Sequence, residues 1–167
     1  MNRKLGIFIV AAIGGAFLLV AAAKAAEGVE WKTLQSAKVS LEKGLAAAQP
    51  KGKPISGKFE LEDGKLQLSV YTSSQGKFWE VIVDHGSGKV SKTEQIKEGE
   101  DLSTARAQNE GMSKAKTSLS AAVGKAVAAN AGYLAVSIVP EIKEGKAVAT
   151  VVLENAAGTK TVSESLD

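Results

Sequence analysis

The chain has 167 residues, enough for one ordinary domain or two small ones, and its 44% apolar and 23% charged residues are a globular balance. It has no cysteine and one histidine, His85, which excludes disulfides, thiolate chemistry, a lipid-anchored N-terminal cysteine and a two-histidine zinc site within one chain. The first 25 residues hold three of the 21 Lys and Arg and no acid, so the remainder carries 18 bases against 18 acids, which argues against nucleic-acid binding.

Residues 1–25 have the pattern of a secretory signal peptide. Arg3 and Lys4 precede an uncharged apolar run from Leu5 to Val20, and small residues follow. Both Ala21-Ala22-Ala23 and Ala23-Lys24-Ala25 fit the cleavage pattern, so the cut falls after residue 23 or 25. The run is just short of a comfortable bilayer span. The expected mature protein is exported, periplasmic and without a stable membrane span.

The mature chain then repeats one plan, as a first unit over 26–97 and a second over 98–167, with 97–101 as a charged linker. Trp31, Leu34, Ala37, Leu41, Leu45 and Ala48 form one helical face, which Pro50 and Pro54 end. Three strands are predicted next: 58–62, 65–72 and 77–84, with the tight hairpin signal Asp63-Gly64 after the first. Ser73-Ser74-Gln75-Gly76 and His85-Gly86-Ser87-Gly88 supply turns, and Lys89-Val90 resumes pairing.

Asp101 or Ser103 caps a following helix. Leu119, Val123, Ala126 and Ala129 give a second helical face, followed by strands predicted over 133–139, 147–153 and 159–163. The turn glycines Gly64 and Gly145 stand 81 residues apart, and Ser40-Leu41 and Ser118-Leu119 stand 78 apart, which suggests a duplication. The expected fold is α+β: two tandem units, each one helix packed on a small antiparallel sheet of about three strands.

The strand Lys77–Asp84 closing on Gly88-Lys89-Val90 resembles the PepSY family, whose signature is a hairpin and a strand ending Val-Asp, followed after a few residues by Gly-Lys-Val. The similarity covers about residues 31–95. Residues 103–167 resemble a weaker copy, with Thr159-Lys160-Thr161-Val162 in place of the Asp…Gly-Lys-Val ending. The resemblance implies an exported, non-catalytic regulator or binding module, in a family that includes propeptides of thermolysin-like proteases. The chain has no H-E-x-x-H sequence.

Other motifs yield little chemistry. Gly52–Lys58 satisfies G-x-x-x-x-G-K, but Phe59 follows where a phosphate loop needs Ser or Thr, and the order of elements is reversed. Glu98, Glu100 and Asp101 lack the ordered spacing of a calcium loop. Asp84 brackets a turn through backbone hydrogen bonds. The adjacent His85 is a turn residue, with a lone metal or haem ligand or a pH-sensitive contact as its functional reading. No catalytic residue, cofactor or metal site is expected.

The most informative surface is a sheet face. With Leu66, Leu68, Val70, Trp79, Val81 and Val83 toward the helix, Tyr71, Phe78 and Ile82 point the other way, as an apolar patch that a partner, the second unit or a second copy would cover. The expected function is to bind another protein, a periplasmic protease among the candidates. The alternatives are a cell-envelope small-ligand or metal-handling module, and self-association.

Overall fold

The computed structural model describes residues 29–167; the predicted leader and its cleavage point lie outside the described residues. The expected long helix is divided. α1 (Trp31–Leu34) closes after one turn, and α2 (Leu41–Ala48) starts afresh at Ser40, whose hydroxyl accepts from the Lys43 N–H at 3.4 Å. Leu34, Leu41, Leu45 and Ala48 are all buried. The segment between the helices instead directs the N–H groups of Lys38 and Val39 to the carbonyl of His85, at 2.9 and 3.0 Å. Pro50 lies in a 3-10 turn (Gln49–Lys51), and Pro54 lies inside the first strand, beside a bulge, where its missing N–H is tolerated.

The remaining elements are β1 (Lys53–Glu62), β2 (Lys65–Ser74), β3 (Lys77–Val83), β4 (Val90–Ile96), α3 (Gly99–Gly111), α4 (Leu119–Ala128), β5 (Leu134–Lys143), β6 (Lys146–Asn155) and β7 (Gly158–Ser165). Three hairpins turn on two residues with positive φ, Asp63-Gly64, Gln75-Gly76 and Glu144-Gly145, the geometry that matches strand twist. The charged stretch read as a linker forms the first turn of α3. Glu98 stands at its N-cap without a side-chain bond, so neither Asp101 nor Ser103 serves as the cap.

The expected two tandem units, each a helix on its own small sheet of about three strands, are overturned. All seven strands form one antiparallel sheet in the order β4-β3-β2-β1-β5-β6-β7. The physical reason lies at the seam. β1 would be an edge in a separate unit, with a row of backbone groups unpaired. Here β1 pairs with β5 through Gly57↔Ile138 and Lys58↔Ser137, and α2 packs against α4 over that seam.

α2 and α4 cover what we term the front of the sheet. Leu68, Val70, Val81, Val83, Ile138, Val151 and Leu153 are all at most 1% exposed and share one core with these helices. α3 crosses the back of the sheet, against β5 and β1.

The two halves share one register. Gly57↔Val70 and Val70↔Val81 recur 81 residues on as Ile138↔Val151 and Val151↔Val162. A register shift between Pro54 and Ser56 recurs between Ala135 and Ser137. The clasp on His85 recurs as well: Lys116 and Thr117 donate to the Leu166 carbonyl at 2.7 and 2.9 Å. Gly57 and Ile138, themselves 81 apart, pair with each other, so a pseudo-twofold axis passes between them.

Candidate functional site

Ser56 and Ser137 are equivalent residues, and both lie behind the sheet beside the pseudo-twofold axis. α3 crosses there asymmetrically. The Ser56 hydroxyl donates to Gln108 Oε1 at 2.7 Å, whereas Ser137 Oγ is fully buried and has no partner among the described residues. A pocket of about 130 Å³ separates helix from sheet, lined also by Lys58, Tyr71, Asp101 and Thr104. An amide oxygen does not take a proton, so Gln108 holds the Ser56 hydroxyl without activating it.

Tyr71 forms one wall of this pocket. Its hydroxyl donates to Glu80 Oε1 at 3.1 Å, and Lys58 Nζ lies 5.7 Å from its ring centroid. Burial first, and then the charges of Glu80 and Glu60, push the phenol far above its usual range. Lys58 pairs with Glu60 at 2.6 Å, and Glu60 also accepts from Ser69 Oγ at 2.6 Å. Thr150 repeats the last contact in the second half, donating to Glu141 at 3.2 Å.

The register places Tyr71, Phe78 and Ile82 on the back. Tyr71 pairs with Glu80, and Phe78 and Ile82 flank Glu80 on β3. Phe78 is buried, with Ile96 of β4 as its cross-strand neighbour, while Tyr71 and Ile82 are half-buried. These three residues therefore surround a carboxylate rather than forming a continuous apolar patch. Sequence reasoning missed Glu80, although its alternation with Phe78 and Ile82 was there to see. It also missed Ser56, Ser137 and Gln108, which carry no motif.

Asp84 and His85 stand apart from the pocket, in the β3–β4 turn. Asp84 Oδ1 accepts from the Ser87 N–H at 2.7 Å and the Ser87 hydroxyl at 2.5 Å, and these bonds lower its pKa. Asp84 also closes the turn with its own backbone: its N–H donates to Lys89 at 2.8 Å and its carbonyl accepts from Gly88 at 2.7 Å. Gly88, at φ +77°, sits where a Cβ would lie 3.4 Å from Val39. The Asp…Gly-Lys-Val stretch thus builds a turn that docks against the α1–α2 segment. His85 Nδ1 is buried without a hydrogen-bond partner among the described residues.

Among the described residues, no group of three or more His, Cys, Asp or Glu side chains is placed to hold a metal ion, and no helix is long and apolar enough to cross a membrane. Comparison with protein-family models, curated proteins and solved structures gives no match for this chain.

Proposed function

We propose that this chain is an exported, periplasmic, non-catalytic PepSY-like module that binds another polypeptide, with an exported protease as the target class the resemblance implies. The observation that carries this reading is the back of the sheet around Tyr71. Half-buried apolar groups, Tyr71, Ile82 and Ile96, lie among the charged side chains of Lys58, Glu60, Glu80 and Lys92. Apolar groups interleaved with charged ones offer a partner both area to bury and charges to pair. The test is binding and inhibition across a panel of exported proteases, with Ile82→Asp as the variant. Saturable binding that Ile82→Asp weakens supports the reading; neither binding nor inhibition across the panel overturns it.

A second reading is a small-ligand module of the cell envelope. It is favoured by one observation, the buried and unpartnered Ser137 hydroxyl at the pocket beneath α3. A ligand accepting or donating there would supply the missing bond. Small-molecule binding retained unchanged in Ser137→Ala would count against it.

A further inference from the structure

β7 occupies in the second half the place that β3 occupies in the first, with Val162 standing for Val81. The outer edge of β3 is covered by β4. The outer edge of β7 is exposed: Thr159, Lys160, Thr161 and Ser163 all lie open to solvent. Its hydrogen-bonding phase follows from one contact. The Leu166 N–H donates to the Ala147 carbonyl at 2.9 Å, so the even-numbered residues of β7 direct their backbone groups toward β6. Thr159, Thr161, Ser163 and Ser165 therefore direct theirs outward.

The side chains define what would fit. The front row of β7 is Lys160, Val162 and Glu164, and Glu164 already pairs with Lys125 of α4 at 2.9 Å. An antiparallel partner matches this row with an acid opposite Lys160, an apolar residue opposite Val162 and a base opposite Glu164. The strand Lys160-Thr161-Val162-Ser163-Glu164, read in reverse, supplies this order. β4 does not: laid on the same row, Lys92-Thr93-Glu94-Gln95-Ile96 sets an acid against Val162 and an isoleucine against Lys160.

We infer that β7 is a self-pairing edge and that its partner is β7 of a second copy of this chain, antiparallel about Val162. Val162 faces Val162, Thr161 faces Ser163, and Thr159 faces Ser165. At each end the row Lys125, Glu164 and the partner's Lys160 alternates in sign. The contact is isologous, so it closes at two chains rather than propagating into a fibre. The seam between β1 and β5 is the same kind of junction, two equivalent strands antiparallel about an axis, made within one chain. This inference goes beyond the function proposed above, and its test contains no foreign protein, so either can fail alone.

The test is the solution mass of the exported chain by light scattering or sedimentation over a concentration range, with circular dichroism to monitor folding. The expected result is a dimer that weakens as salt rises. Thr161→Pro removes an outward N–H and no bond to β6, and it should leave a folded monomer. Lys160→Glu and Glu164→Lys each set like charges together and should each be monomeric. Mixed, the two variants restore an acid opposite a base at both ends of the pairing, and heterodimers should form. A wild-type monomer at every concentration overturns the inference. So does a dimer that survives Thr161→Pro, a mixture that stays monomeric, or a dimer abolished by Thr93→Pro on β4 rather than by changes on β7.

Discussion

The Ser120 hydroxyl donates to the Glu42 carbonyl at 3.2 Å, and the two residues hold the same position in α4 and α2, each two places after the capping serine of its helix. The halves therefore meet through equivalent residues in the helical layer as well as in the sheet. The reciprocal bond is missing because Glu42 has a carboxylate where Ser120 has a hydroxyl.

This helix pair sets different tolerances at its two glycines. A Cβ on Gly44 would stand 2.5 Å from Cδ2 of Leu68, which is fully buried. Gly44→Ala is expected to cost about 1–3 kcal/mol from overpacking, offset by roughly 1 kcal/mol of helix propensity. A Cβ on Gly124 would meet only the carboxylate tip of Glu42, at 3.0 Å, which can swing away. Gly124→Ala is expected to be neutral or stabilising by up to about 1 kcal/mol. The urea midpoint should fall for Gly44→Ala and hold or rise for Gly124→Ala; equal losses would place Glu42 as rigidly as Leu68.

The two serines at the axis separate in the same way. Ser56→Ala leaves Gln108 Oε1 without its buried donor and is expected to cost about 1–2 kcal/mol. Ser137→Ala removes a buried hydroxyl that has no partner among the described residues, and stability should hold or rise. Chemical denaturation distinguishes them. A loss at Ser137 as large as that at Ser56 would mean that its hydroxyl is bonded after all.

Tyr71 should govern alkaline stability. Its folded pKa lies above the ordinary phenol value of 10.0, so its contribution is complete below pH 10. As pH rises past that value the unfolded phenol ionises while the folded one stays neutral, and stability falls. Absorbance of the Tyr71 phenolate should appear together with loss of folded structure. In Tyr71→Phe that coincident component should be absent and the alkaline decline shallower. Ionisation of Tyr71 well before unfolding would refute the burial and the Glu80 contact as its cause.

Asp84 should act at the opposite end of the pH range. The Ser87 hydroxyl and N–H hold its pKa below 3.8, so its contribution is present above that value and is lost as pH falls through the lower folded pKa. The stability difference between wild type and Asp84→Ala should be constant near neutrality and shrink in strong acid. Because this carboxylate is fully exposed, a large difference at any pH would point to a role for the turn beyond its own hydrogen bonds.

The strands of the first half were legible because alternation reports which face is buried: Leu68, Val70, Val81 and Val83 lie on the core side at period two. The Asp63-Gly64 hairpin was legible from turn chemistry. The break between α1 and α2 was not, because Ala37 preserves the helical spacing while the neighbouring N–H groups bind a carbonyl far along the chain, at His85. A helix after the charged stretch was legible, but the start of α3 and its buried face were not, because its buried residues are Ala105, Gln108 and Gly111, which make no apolar stripe. The joining of the halves was not legible either. Edge pairing is a backbone contact, and Gly57 and Ile138 carry no local mark of it. The pocket shares that difficulty, since Ser56 and Ser137 become neighbours only through the seam.

Gly57 and Ile138 face one another at the axis, one with no side chain and the other fully buried. A Cβ on Gly57 would lie 3.0 Å from Leu45 of α2, so that side of the axis has little room to spare. Two identical chains meeting here would have to carry the same residue twice, leaving a void with glycine or a collision with isoleucine. Joining the halves in one polypeptide lifts that constraint and lets each position settle on the shape its neighbour leaves. The halves are alike in plan, yet not interchangeable.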